Sequence, residues 1–561
     1  MDQFRREFSL WNVRLYHISM LLLLVSIPLS KYTTSLCQFM VLGFWLLYKS
    51  DITYLEDYIS GGQSFSTRFP RLIGGFLKSL FDSLLAKFKA FFKIKAALVI
   101  TSLLLLHVIG LLYSADYQYA LKDLRTKLPL LLLPLFFSTG PAVNTRTLYW
   151  LFIGYTAAIF GGTIYNLILY ANLPVADPRA IESHISHIRF SLNIVYSIFI
   201  LAYFIRLRYF FCFWQKIVFA FVAVWFIFFM IFLRYNTGIS ILIIISLLIL
   251  LYKAMKGSHP TTRLIFLAAG LILFVVPIIY FKTVVKQYRD IKPVSFTSLE
   301  KYTLNGNSYY HDTINFHIEN GKYVGLYICD KELRKSWAQR STMPIDSLDG
   351  KRQMLRYTLI RYLASKNLRK DSVGISQLNK QDILNIETGL TNANSRNGFN
   401  LNTQIDNFLT GWDNYIYKNN PNSSSLIQRV EYWHTSLLLI RQHILFGVGT
   451  GDVPDAFKAQ YEKMNSSLDP QYRLRSHNQY LSIAVAFGIF GFLWFLFVLI
   501  YPMLVTKRYK NYFYIIFWFI FMISLFTEDT IESQEGVTFF AYMTSLLLFA
   551  WKDPVEGTVT D

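Results

Sequence analysis

Residues 477–503 read HNQYLSIAVAFGIFGFLWFLFVLIYPM, a stretch with no Asp, Glu, Lys or Arg. A helix of about 20 such residues spans the roughly 30 Å hydrocarbon core of a bilayer, so this segment reads as a transmembrane helix. Comparable runs recur along the chain and predict about twelve spans, at roughly 15–30, 33–49, 96–114, 127–139, 147–171, 190–208, 215–233, 236–253, 263–281, 478–503, 511–527 and 535–552. Composition agrees. Of 561 residues, 53% are hydrophobic, 17% aromatic and 16% charged, against roughly 25% charged in a typical soluble domain. Mean hydropathy is +0.34. These values exclude an ordinary soluble enzyme, a disordered chain and a disulfide scaffold. The expected fold is an all-α polytopic membrane protein.

The 55 Lys and Arg against 35 Asp and Glu give a net charge of +20. In a soluble protein that excess would suggest nucleic-acid binding, but in a membrane protein basic residues collect on the cytoplasmic side, and no nucleic-acid partner is expected. Clusters at Lys78, Lys87, Lys89, Lys93 and Lys95, at Arg206, Arg208 and Lys216, at Lys253, Lys256 and Arg263, and at Lys507, Arg508 and Lys510 mark cytoplasmic connections. The link between the last two spans carries Glu528, Asp529, Glu532 and Glu535 on the opposite side. Both termini are then cytoplasmic. The apolar start after Arg5, Arg6 and Arg14 lacks a small-x-small cleavage site and is read as the first span. Cys37, Cys212 and Cys329 are too far apart for a metal motif or a disulfide framework.

The expected organisation is a membrane domain over 1–281, a large outer loop domain over 282–476, a second membrane domain over 477–552 and a cytoplasmic tail over 553–561. Within the first, residues 66–95 place Phe69, Leu72, Phe76, Leu80, Leu84 and Phe88 at helical spacing with lysines opposite, as in an amphipathic helix on the inner leaflet. A solvated helix is the alternative. The loop lies between the ninth and tenth spans and is expected to be of mixed α/β character. Alternation around Asn320-Gly321 signals a hairpin, and helical periodicity in KRQMLRYTLIRYLASKNLRKD and in Leu426–His443 flanks Asn-rich sequence at 391–424.

Charged groups at span edges are costly and therefore informative. Arg189 opens the sixth span, Arg234 closes the seventh and His477 opens the tenth, all at the outer face. Two guanidiniums suit a diphosphate through bidentate hydrogen bonds, and an imidazole titrates where it can take a proton from a hydroxyl. Together they suit transfer of a group from a lipid diphosphate to an alcohol. Taken singly, each arginine also fits snorkelling to head groups and the histidine fits a helix cap.

RVEYWHTSLLLIRQHILFGVGTGDVPDAF followed by SHNQYLSIAVAFGIFGFLWF resembles the signature of the O-antigen ligase and O-antigen polymerase superfamily. The resemblance rests on Gly447, Gly449 and Gly451, on His477, Asn478, Tyr480 and Leu481, and on Gly488 and Gly491, with nine spans, a large loop and three spans in order. It implies a metal-independent, inverting glycosyltransferase of the bacterial inner membrane. Such an enzyme moves a glycan, the O-antigen, from undecaprenyl diphosphate to a lipid A-core acceptor at the periplasmic face, without a cofactor. It further implies that Arg189 and Arg234 hold the diphosphate and that His477 is catalytic. Arg234 departs from the family's pattern, with LRYNTG around it. Where some relatives carry a Glu before the second glycine pair, this chain has Ala486 and Phe487.

Arg429, Asn478, Tyr480 and Gly449 join the arginines as candidate substrate-binding positions, with Trp433 expected to pack. The Gly447-x-Gly449-x-Gly451 run reads as a tight turn returning Asp452 to the membrane, since no strand precedes it as a phosphate loop would require. His184 and His187 could share a metal, but no third ligand lies nearby and no metal site is expected. An O-antigen polymerase or a protein glycosyltransferase using the same donor is the alternative function. A transporter of the lipid-linked glycan fits less well, because the charges sit at one face and no two-fold repeat is visible.

Overall fold

A computed structural model describes the chain except residues 1, 51–64, 173–184, 208–209, 258, 292–293, 313–317, 320, 351–352, 394–400, 423 and 553–561. His184, Asn320 and the tail therefore lie outside the described residues. The protein is mostly helical. Its membrane part opens with α1 (Asp2–Ser26), α2 (Lys31–Leu47), α3 (Phe65–Phe91), α4 (Lys95–Leu111), α5 (Tyr117–Lys127), α6 (Pro129–Thr139) and α7 (Thr145–Asn172). It continues with α8 (His187–Arg206), α9 (Phe213–Phe232), α10 (Asn236–Lys256) and α11 (Pro260–Arg289). The loop holds β1 (Ile318–Glu319), β2 (Lys322–Tyr323), α12 (Asp330–Ala338), α13 (Leu355–Ser365), α14 (Ser372–Ser376), α15 (Lys380–Glu387), α16 (Leu401–Lys418), α17 (Ser425–Gln442) and α18 (Val453–Lys463). The chain closes with α19 (Gln479–Val505), α20 (Tyr512–Ser524) and α21 (Gln534–Ser545), which runs into a π turn over Leu546–Ala550.

Among the described residues, seven helices are long and apolar enough to cross a membrane, or eight if the bent pair α3 and α4 is one span. Several other expected spans are helices too short to cross alone. At a rise of about 1.5 Å per residue, the 11 residues of α6 extend only about 16 Å. These short helices are interior: Leu130, Leu133, Phe136 and Phe137 of α6 and nearly all of α21 are buried in the central core.

The mixed α/β expectation for the loop is corrected. Among the described residues, strand in the loop amounts to the two-residue pair Ile318↔Tyr323 and Glu319↔Lys322 and a few isolated bridges, with Gly321 in the left-handed region. The Asn-rich interval also contains the 18-residue helix α16, because Ile405, Leu409, Trp412 and Ile416 recur at helical spacing beneath its polar composition. The loop contributes to two cores. Val324, Leu333, Trp337, Leu355, Leu359, Leu363 and Ile386 form one of their own, whereas Tyr432, Leu439, Val453, Phe457 and Tyr461 from α17 and α18 join the core of the membrane body.

α3 turns by 96° into α4. Leu72, Phe76, Leu80 and Leu84 are half-buried, and a second apolar stripe of Phe69, Ile73, Leu77, Phe81 and Leu85 is exposed. Lys87 departs from the expected lysine face. It is buried, donating to the carbonyls of Trp45 at 2.6 Å and Leu46 at 3.1 Å, and so satisfies the open C-terminal carbonyls of α2.

Candidate active site

The glycine run and the glycine pair explain each other. Gly488 breaks α19 with φ +62, and Gly447 and Gly449 turn with φ +69 and +95. The two irregular segments then pair backbone to backbone: Val448 N–H donates to Val485 O, Gly449 N–H to Ala486 O (both 2.9 Å) and Ile489 N–H to Ile444 O (2.8 Å). A Cβ on Gly447 would fall 2.3 Å from the Ala486 carbonyl carbon, and one on Gly488 2.3 Å from that of Leu445. Only glycine permits so close an approach of two main chains. Asp452 completes the clasp by accepting from the N–H groups of Ala115 (2.9 Å) and Asp116 (2.8 Å) beyond α4. The run is thus a structural turn whose amides are engaged inside the protein, and Gly449 is buried within it.

About two turns before this clasp α19 begins, and just ahead of its cap His477 stands in the left-handed region at φ +46. Such a conformation costs a non-glycine residue about 1–3 kcal/mol and persists only when its surroundings impose it. Here the buried Asp529 accepts from the His477 N–H at 3.2 Å, and its other oxygen accepts from Ser482 at 2.7 Å. Asn478 caps α19, its Oδ1 accepting from the N–H groups of Tyr480 (3.1 Å) and Leu481 (3.3 Å). Tyr480 donates to the Met522 carbonyl at 3.1 Å and packs against Phe526. Asn478, Tyr480 and Gly449 thus have scaffold contacts that use their polar groups.

The His477 ring lies 5.5 Å from that of Tyr432 on α17, and its Nδ1 is 3.6 Å from Glu528 Oε2. The other oxygen of Glu528 accepts from Arg429 Nη2 at 3.0 Å. Burial pushes the Glu528 carboxyl up, but His477, Arg429 and Arg189 outweigh it and hold it below the ordinary carboxylate value. Arg189 therefore lies within electrostatic reach of the same carboxylate. It stands on the first turn of α8, whose backbone is tied by Asn193 Nδ2 donating to the Arg189 carbonyl at 2.7 Å, with Tyr155 donating to Asn193 Oδ1 at 2.6 Å.

Arg234 occupies the corner between α9 and α10 at φ +58. Next to it, Tyr235 lies 5.8 Å from the His187 ring, and Gly238 is close enough to α8 that a Cβ there would come within 2.7 Å of Ser191 Cβ. The corner that carries Arg234 thus packs against the start of α8, where Arg189 stands. His187 serves in this packing.

Behind the site, a second charged group secures the link that carries Glu528. Lys127 is fully buried and contacts Asp123 at 2.5 Å and Glu532 at 2.9 Å, while Arg475 reaches Glu532 at 3.3 Å and Gln479 donates to it at 2.9 Å. These cations hold the Glu532 carboxyl low despite its burial. In the linear sequence Glu528 and its neighbours mark only the orientation of the chain. The signal available was four acids within eight positions between two apolar spans, where uncompensated charge is costly.

The arrangement brings the His477 imidazole and the Arg429 guanidinium to the carboxylate of Glu528, with the field of Arg189 reaching it. No curated protein matches the chain. Residues 389–496, which include α17, the glycine clasp, His477 and the first part of α19, match the family described as O-Antigen ligase. That match supports the resemblance to the O-antigen ligase-like superfamily and, with the apolar helices, an O-antigen ligase- or polymerase-type multi-pass membrane enzyme of polysaccharide biosynthesis.

Proposed function

We propose that the protein is an inverting, metal-independent glycosyltransferase of the bacterial inner membrane. It takes a glycan from undecaprenyl diphosphate at the periplasmic face and transfers it to a lipid A-core sugar. The observation that carries this reading is that His477 Nδ1 and Arg429 Nη2 meet the one carboxylate of Glu528, at 3.6 and 3.0 Å, within a body that includes the O-antigen ligase segment, and the field of Arg189 reaches the same carboxylate. Arg189, with Arg234 on the adjoining corner, binds the donor diphosphate. His477 Nε2 takes the proton of the acceptor hydroxyl as its oxygen attacks the anomeric carbon. The bond from that carbon to the diphosphate breaks, and the diphosphate leaves with the electron pair, its growing charge met by the guanidiniums.

The exposed apolar stripe of α3 supports a place for that helix on the inner leaflet. The loop core around α12 to α15 would stand outside the membrane, where it could select the acceptor.

The test is transfer by purified protein in detergent from a lipid-linked glycan to lipid A-core, with His477→Ala as control. A product formed only by the unmodified chain supports the ligase. Lengthened lipid-linked glycan in its place assigns the same chemistry to a polymerase. Equal product from both proteins removes His477 from the reaction.

A further inference from the structure

We propose that Glu528 is the positioning residue of His477, its carboxylate fixed by Arg429 and aimed at the imidazole Nδ1 from a different part of the chain than the span His477 opens. The inference rests on the base role of His477 given above.

A base that accepts through Nε2 needs its proton on Nδ1, and a carboxylate facing Nδ1 selects that tautomer and stabilises the imidazolium formed as the acceptor proton arrives. Glu528 Oε2 faces Nδ1 at 3.6 Å, longer than a hydrogen bond and suited to tightening when substrate closes the site. Its Oε1 is already engaged by Arg429 at 3.0 Å, which prevents the side chain from swinging away. The supporting frame is rigid. Asp529 grips the His477 backbone, and Glu532, three residues on, is locked by Lys127, Arg475 and Gln479. Tyr432 bounds the imidazole on its face. The proton passes from the acceptor hydroxyl to His477, and Glu528 remains ionised throughout.

The charged and titratable groups around the pair have opposed effects. Negative charge near His477 comes from Glu528 and the buried Asp529, with Glu532 behind them paired to Lys127 and Arg475. Positive charge comes from Arg429 on α17, bonded to Glu528, and from Arg189 on α8, whose field reaches the same carboxylate. Removing the carboxylate or removing its arginine should therefore move the activity profile in opposite directions. A defect of packing alone would not reverse sign.

The experiment measures kcat and donor KM of the full-length protein against pH, using lipid-linked glycan and lipid A-core, for the unmodified chain, Glu528→Gln, Glu528→Asp and Arg429→Gln. In Glu528→Gln, kcat should fall about 100-fold. Its acid limb should move down by about one pH unit, with donor KM within about threefold. Glu528→Asp should restore part of kcat. In Arg429→Gln the acid limb should move up. Glu528→Gln at unmodified kcat with an unmoved limb, or limbs that move the same way in both variants, would overturn the inference. Should Glu528→Gln fail to accumulate folded, the Arg429→Gln limb decides alone, upward in support and unmoved against. His477→Ala separates the two levels: full activity there removes the underlying reading, whereas an inactive His477→Ala with unmoved limbs in the other variants removes only the role of Glu528.

Discussion

Glu332 in the loop core and Glu528 at the end of the membrane body are both buried carboxylates, 6% and 8% exposed, yet their surroundings differ in kind. Glu332 accepts from Thr303 Oγ1 at 2.5 Å, Asn307 Nδ2 at 2.7 Å, Ser372 Oγ at 2.6 Å and Ser372 N–H at 3.0 Å. Burial raises its pKa, but these neutral donors prevail and bring it to about 2. Every lone pair it can offer is used at short range. Glu528 is held by ionic partners, one of them a titratable imidazole at 3.6 Å on a backbone in the left-handed region. A carboxylate saturated by neutral donors stitches a fold together. One shared between Arg429 and the His477 imidazole, with a contact still to close, is the arrangement on which the proposed mechanism draws.

That contrast can be broken most forcefully at His477. His477→Ala should lower transfer about 1,000-fold while the protein remains folded in the membrane, measured as product per folded molecule. Arg189→Gln should follow at about 100-fold, and Arg189→Lys should recover little of it, because an ammonium does not reproduce the bidentate fork. Retention of activity by the lysine variant would show that charge alone suffices there.

Gly488→Ala tests the clasp beneath the site. The added Cβ meets main-chain atoms of Leu445 and must hold a positive φ, so a loss of about 2–3 kcal/mol is expected, read as a lower melting temperature in detergent. The smallest expected effect on transfer belongs to Glu332. Glu332→Ala should destabilise the loop core by about 2 kcal/mol, seen as faster hydrogen exchange in α12 and α14, with transfer per folded molecule within about twofold. Because its folded pKa of about 2 lies below the ordinary 4.5, the stability it contributes is complete above pH 4.5 and is lost as pH falls towards 2. A transfer defect matching that of the site variants would erase the distinction between the two glutamates.

Much of the site's half in α17 to α19 was legible in linear sequence. The glycine spacing, His477 and the apolar run of α19 lie close together along the chain, and Arg189 and Arg234 stand out as charges at span edges. Glu528 was not legible as a partner, because its contact with Arg429 joins positions 99 apart and Asp529 meets His477 across 52. α16 was obscured by the Asn residues in and around it, which mark turns by composition although the apolar positions keep a helical period. The lengths of the apolar runs predicted spans where the folded chain has helices as short as 11 residues, since hydropathy records the burial of a segment and not whether lipid or protein covers it.

The sequence by itself determined the helical, apolar class of the chain, the charged groups at the edges of its apolar runs and a glycine-rich turn before α19, because hydropathy, charge cost and backbone freedom are properties of residues and their immediate neighbours. Only the tertiary structure decided which carboxylate faces His477, which glycines meet which main chain, and how Lys127, Arg475 and Glu532 neutralise one another. Those are distances between segments remote along the chain, set by the packing of the whole helical body.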